Sequence, residues 1–237
     1  MVTTPQPTKV IYPDCDGNPI SDNTRQFRWI VVIKENLEIL FDDDPNVFVA
    51  GDLLWYPQEG NNKIRQAPDV MVAIGRPKGD RGSYKQWEEG NIAPQVVFEI
   101  LSPGNRLKEM AKKEKFYDCY GVEEYYIFDP DRLDFNGWLR DEAGSLEVIE
   151  QPENWTSPRL GIRFELQDEQ FTIYRPDGRP FLTPTELAKQ AEQQRLEAEQ
   201  QRLEAEQQRQ RAESAEARLR ELEARLRELE GDRHRDE

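Results

Sequence analysis

Histidine is almost absent: the only one, His234, lies in the polar run at the C-terminal end. A serine-hydrolase triad and a histidine-rich metal cage both need imidazole inside the folded domain, so both are excluded there. Cysteine is scarce as well. Cys15 and Cys119 are too few for a disulfide framework in a chain of 237 residues. Both read as reduced thiols, Cys119 as a small buried residue on a helix. No apolar run approaches the ~20 residues that span a bilayer, and Met1 to Pro13 lacks the apolar core of a secretory signal. The expectation is a cytoplasmic protein with no membrane contact. No glycine-rich phosphate loop followed by Lys-Ser or Lys-Thr occurs. Aromatic residues stop at Phe181.

What is abundant is negative charge. Acidic residues number 47 against 32 basic ones, a net charge of −15. Phosphate affinity comes from Lys and Arg that neutralise it, so binding nucleic acid through overall positive charge is excluded. A local basic cleft, or a metal that supplies the positive charge, is not. The hydrophobic content of 36% is low for a globular chain and reflects dilution by a polar segment. The expected organisation is an irregular lead-in over 1–21, a folded domain over 22–182 and a charged helix over 183–237.

Within the domain, apolar residues recur at Phe27, Ile30, Ile33, Leu37, Leu40 and Phe41, the spacing of a helix with one buried face. It ends near Asp42-Asp43-Asp44-Pro45. Val47–Ala50 and Leu53–Tyr56 read as one bent strand or two short ones, and Val70–Ile74 as a buried strand. Gly75 to Asn91 reads as a long loop with a short helix at Tyr84–Trp87. Val96–Leu101 is a buried strand. A helix from about Arg106 to Tyr120 follows, with Asn105 as its N-cap and Gly121 as its left-handed stop. Glu124–Phe128 is the next strand, so strand, helix and strand imply a parallel pair with a crossover helix. Short strands near 137–139, 146–149, 164–166 and 171–174 imply an antiparallel extension of the sheet. The fold class is α/β (α+β).

Two carboxylates interrupt this apolar pattern. Asp69 opens one buried strand, and Glu99 lies inside another. An ionised carboxylate there costs on the order of several kcal/mol without a partner. A salt bridge satisfies that need. So does a hard cation held between carboxylates of adjacent strands, and oxygen ligands of this kind suit Mg²⁺. On the following helix Leu107, Met110, Ala111 and Tyr117 mark the core face. Lys113 lies nearer to it than Lys112 or Lys115; it is either a snorkelling lysine or one that leans back to the sheet. Glu114 falls near the centre of that face without an evident reason. Lys63, Arg65, Arg76, Lys78 and Arg81 flank Asp69 and read equally as loop charges or as a cleft for backbone phosphates.

Pro68-Asp69-Val70, Phe98-Glu99-Ile100-Leu101-Ser102-Pro103, Lys113 with Tyr117, Gly121-Val122-Glu123-Glu124-Tyr125 and Phe128-Asp129-Pro130 occur in that order. Over roughly residues 24–175 this set resembles the Uma-type restriction-endonuclease-like family of the PD-(D/E)XK nuclease superfamily. The resemblance implies a mixed central sheet flanked by helices. It also implies phosphodiester hydrolysis of nucleic acid, of DNA by the family's type, with Mg²⁺ or Mn²⁺. Asp69, Glu99 and the backbone carbonyl of Ile100 would hold the metal, and Lys113 would serve as the catalytic lysine. The superfamily's lysine normally stands two residues after the second acid, where this chain has Leu101. Glu38 on the first helix is the candidate for an additional acid. A second reading stays open: a weakly active or inactive nuclease fold used for binding or scaffolding.

Beyond Thr183-Pro184-Thr185-Glu186, a strong helix start, a seven-residue repeat runs through Ala191, Ala198 and Ala205. A coiled-coil seam of apolar residues is good only from Ala212 to Leu229. The expectation is a homodimer, or a partner protein docked through 184–230.

Overall fold

The computed structural model describes residues 10–233 apart from 16 and 18, with the side chains of 221 and 226–233 also left out. Residues 1–9, the first part of the expected lead-in, and His234 therefore lie outside the described residues, as do the side chains of Leu226 and Leu229. The chain divides into two units, the first ending at Pro184 and the second beginning at Thr185.

In the first unit, α1 (Thr24–Leu40) is capped by Asn23, whose side-chain oxygen accepts from the N–H groups of Arg25 and Gln26. Such a cap is worth roughly 1 kcal/mol. The strands follow as β1 (Val47–Gly51), β2 (Trp55–Tyr56), β3 (Val70–Ile74), β4 (Tyr84–Lys85) and β5 (Val96–Ile100). Next come α2 (Leu107–Tyr120), β6 (Glu124–Asp129), β7 (Asp134–Arg140), β8 (Leu146–Val148), β9 (Arg163–Gln167) and β10 (Gln170–Tyr174). Six strands form one mixed sheet in the order β1-β3-β5-β6-β7-β8. Only β5 and β6 pair in parallel within it, with α2 as the crossover. The second unit is formed by α3 (Pro184–Arg233), a helix of 50 residues that starts at the last residue of the first unit and whose described side chains are almost all exposed. Among the described residues no helix is long and apolar enough to cross a membrane.

Strand alternation sorts the sheet into two faces. Val70, Val72, Phe98, Ile100, Tyr126 and Phe128 pack against α1 and the β9–β10 hairpin. Met71, Val97, Tyr125 and Ile127 face the other way, toward Trp55, Tyr84 and Tyr117. Glu99 falls on this second face, under α2.

The structure corrects several expectations. The antiparallel extension of the sheet is limited to β7 and β8; β9 and β10 form a separate two-stranded sheet. The expected helix at Tyr84–Trp87 is instead a short strand parallel to β2. Tyr84 is fully buried there, and its N–H donates to Leu54 O at 2.8 Å. Phe27 is exposed and Gln26 takes the buried position. Asn105 does not cap α2: its side-chain oxygen accepts from Ser102 N–H, and Arg106 occupies the cap position. Leu107 is 87% exposed, Ala111 and Cys119 are exposed, and Tyr117 is the only buried residue on α2.

The C-terminal end of α2 is therefore its fixed end. Gly121 terminates it at φ +91°, a conformation that needs no Cβ. Arg140 of β7 donates to Val122 O at 2.7 Å, to Asp118 O at 2.7 Å and to Asp118 Oδ1 at 3.2 Å. It thereby satisfies carbonyls that a helix end leaves without partners. Arg140→Met is expected to lower stability by roughly 2–3 kcal/mol. The check is a urea titration, with a lower midpoint and an unchanged slope; an unmoved midpoint refutes the clamp.

Candidate active site

The register Val70↔Phe98 between β3 and β5 sets Asp69, just before β3, opposite Glu99. Asp69 is fixed there by one bond: its Oδ2 accepts from Ile100 N–H at 2.6 Å. Glu99 is only 2% exposed and both of its oxygens are engaged. Lys113 Nζ donates to Oε2 at 2.7 Å, and the Tyr117 hydroxyl donates to Oε1 at 2.5 Å. Lys113 and Tyr117 are four residues apart on α2, so one helix face presents both donors to one carboxylate. Tyr117 is held in turn by Tyr125, with ring centroids 5.0 Å apart, and lies parallel to Trp55 at 6.4 Å.

Burial pushes the Asp69 carboxyl well above the usual carboxylate range, and the neighbouring Glu99 pushes it further. Lys113 carries the opposite balance. Burial pulls its ammonium down, but Glu99 and Asp69 outweigh burial and its pKa is raised. Tyr117 is raised well above its ordinary value by burial and by Glu99. Tyr125 is raised by the same two causes, and its buried hydroxyl has no hydrogen-bond partner among the described residues.

The structure thus brings Asp69, Glu99 and Lys113 together and leaves Leu101 packed in the apolar cluster beside them. The Ile100 carbonyl lies next to this group and accepts from Gln26 Nε2 at 2.8 Å. A carbonyl oxygen has two lone pairs, so one remains. Glu38 is placed elsewhere: it pairs with Lys34 at 3.4 Å and lines a separate groove with Phe48 and Arg81. The loop cations are largely engaged. Arg76 and Arg81 both bind Glu89, at 2.9 and 2.7 Å, and Lys78 Nζ donates to Asp42 O at 3.2 Å.

Three residues near the site were not singled out for it from the sequence. Gln26 continues the spacing of Ile30, Ile33 and Leu37, so a polar residue at an apolar-face position was its signal. Tyr117 read as a core residue and as the tyrosine of the motif with Lys113, with no role at Glu99. Asp52 follows β1; its N–H donates to Pro68 O at 3.1 Å, and its charge acts on both Asp69 and Lys113. Nothing in the local sequence marks it.

The donor set suits a small divalent cation. Two buried acids stand opposite each other on neighbouring strands, and one ammonium, that of Lys113, pairs with Glu99. Mg²⁺ binds through one or two carboxylates and keeps several waters. Among the described residues no three acidic, histidine or cysteine side chains converge as a metal cluster; Asp69, Glu99 and the Ile100 carbonyl are the groups at this site that could hold a cation.

A carboxyl whose pKa is raised by folding has a consequence for stability. Because the folded pKa of Asp69 is raised, wild-type stability falls as pH rises from the ordinary carboxylate value through the raised one. Asp69→Asn keeps an acceptor for Ile100 N–H and removes the charge. In EDTA, its melting temperature is expected to match wild type near pH 4 and to exceed it at pH 8 by roughly 2–4 °C, about 1 kcal/mol. A melting temperature below wild type at pH 8 overturns this.

No curated protein matches the chain. Among solved structures, the crystal structure of a putative nuclease belonging to DUF820 from Anabaena variabilis is similar to it at 16% identity and a TM-score of 0.43. The similarity covers 57% of this chain and 72% of that one. The Uma2 family, described as "Putative restriction endonuclease", matches residues 16–167. That stretch is more than half of the chain and contains Asp69, Glu99, Lys113 and Tyr117, and the protein is therefore a member of the Uma2 family.

Proposed function

We propose that this protein is a Mg²⁺- or Mn²⁺-dependent endonuclease that hydrolyses phosphodiester bonds of DNA. The observation that carries the reading is the 2.7 Å contact between Lys113 and Glu99 beside Asp69. The lysine missing at Leu101 is supplied from α2, and its ammonium reaches the pair of acids. Family membership supports the same class of reaction.

Asp69, Glu99 and the Ile100 carbonyl are the ligands in this reading; the bound cation would polarise the phosphate and lower the pKa of a water. Lys113 stays protonated beside two carboxylates, so it acts as a positioned cation. It orients the attacking water and stabilises charge that develops on the phosphoryl oxygens. Tyr117 and the Ile100 N–H keep the two carboxylates from turning away. An overall charge of −15 fits a site whose affinity for the reacting phosphate comes through the cation.

A second reading, a binding or scaffold module without activity, is favoured by one observation. Both oxygens of Glu99 are already bound within the protein. Incubation of plasmid DNA with Mg²⁺ or Mn²⁺ separates the two. Cleavage is expected, and Asp69→Asn, Glu99→Gln and Lys113→Met are each expected to reduce it by roughly 100-fold or more. No cleavage with either metal, from protein that retains its fold, supports the scaffold reading.

The reading includes self-association through α3. Exposed Leu219 and Leu222 lie on its apolar seam. Light scattering is expected to give a dimer mass for the full chain and a monomer after removal of 184–237. A monomer mass for both removes this part.

A further inference from the structure

A groove of about 430 Å³ lies between the N-terminal half of α2 and the strands β5, β6 and β7. Leu101, Met110, Ile127 and Trp138 are among its apolar lining, and Arg106, Glu114, Arg132 and Asn136 among its polar lining. The strand registers locate it relative to the acids. Glu99 pairs with Ile127, and Ile127 pairs with Asn136. Neighbouring strands are ~4.8 Å apart. The groove therefore begins one strand from Glu99, and Asn136 lies two strands away.

The groove differs from ordinary core packing. Trp138 is half-buried and stacks on Tyr125 with centroids 5.1 Å apart. The Asn136 side-chain amide has no hydrogen-bond partner among the described residues. Acids at the rim are already engaged: Asp131 pairs with Arg25 at 2.5 Å, and Asp129 accepts from the N–H groups of Asp131 and Arg132. The helix that forms one wall is basic in an acidic protein. Residues 106–115 contain five basic side chains and two acidic ones. Lys108, Lys112 and Lys115 recur at helix spacing and are exposed, with no ion pair among the described residues.

We propose that this groove takes an unpaired nucleobase next to the reacting phosphate, so that the substrate is single-stranded or frayed nucleic acid. The proposal rests on the nuclease reading for the neighbouring site. An aromatic wall holds a base by stacking, which changes affinity by roughly 5- to 150-fold per base. Asn136 and Glu114 match the donors and acceptors of a base edge, Glu114 as acceptor for an exocyclic amino group. The exposed lysines of α2 act on the backbone within about a Debye length, ~10 Å. A base inside a duplex is already stacked and paired, so entry requires unstacking it first. An uncharged apolar peptide would leave Asn136 and Glu114 unpaired and gain nothing from the lysines.

The test is fluorescence anisotropy with a short labelled oligonucleotide of mixed sequence and its blunt duplex, in EDTA, so that no cleavage is needed. The single strand is expected to bind about ten-fold or more tightly than the duplex. Trp138→Ala and Asn136→Leu are expected to weaken strand binding by roughly 5-fold or more while duplex binding stays the same. Leu107→Glu, at an exposed groove position, is expected to act in the same direction and is free of the folding risk at Trp138. Equal affinity for strand and duplex, or variants that bind the strand as the parent does, overturns the proposal. So does displacement of the dye 1-anilinonaphthalene-8-sulfonate by an uncharged apolar peptide but not by the oligonucleotide. The two readings fail separately. Cleavage that ignores the groove variants overturns the groove alone. Groove-dependent strand binding without cleavage overturns the nuclease reading alone, and Glu99→Gln is expected to keep the strand preference.

Discussion

A carboxylate inside a buried strand must be met by positive charge or hydrogen-bond donors, and Glu99 is flanked by Val97, Phe98 and Ile100. An unpartnered charge there costs several kcal/mol, roughly. The surrounding structure follows from meeting that need. One helix, α2, presents Lys113 and Tyr117 to one oxygen of Glu99 each. Gly121 and Arg140 fix the end of that helix nearest Tyr117. Asp69 is oriented by the Ile100 N–H, so the two acids face each other instead of turning to solvent.

This constraint divides α2 into two functional halves. Its C-terminal half is clamped, and Tyr117 is fully buried among Trp55, Phe116 and Tyr125. Its N-terminal half carries no buried residue and stands beside a groove. The same helix therefore meets the buried acid Glu99 through Lys113 and Tyr117 and leaves basic and apolar surface exposed nearer its start. Glu114, odd on an apolar helix face, makes sense as a group lining that groove.

Much of the fold was legible because burial leaves a periodic trace. The apolar runs of β3, β5 and β6 and the glycine stop after α2 are local signals, and the parallel β5–β6 pair with its crossover follows from their order. Other features were not, for identifiable reasons. Tyr84 reads as the start of a short helix in a long loop because a strand of two residues has no period; its pairing with β2 fixes it as a strand. Leu107 and Ala111 have the spacing of a core face, yet on α2 only Tyr117 is buried. Arg76 and Arg81 flank Asp69 in sequence, but Glu89, later in the same loop, captures both. β9 and β10 show strand alternation, which does not reveal the sheet to which a strand belongs.

The sequence by itself determined the strand and helix pattern of the first unit, the acids that interrupt it, and the long polar helix from Pro184. It also excluded imidazole chemistry, because no histidine precedes His234. These are properties of composition and of local spacing. Tertiary structure alone decided which donors meet Glu99, that Gln26 rather than Glu38 reaches the site from α1, and that Asp52 acts on it. The reason is physical: partners more than a few turns apart in the chain are chosen by how strands register and helices tilt, and neither leaves a periodic mark in the sequence.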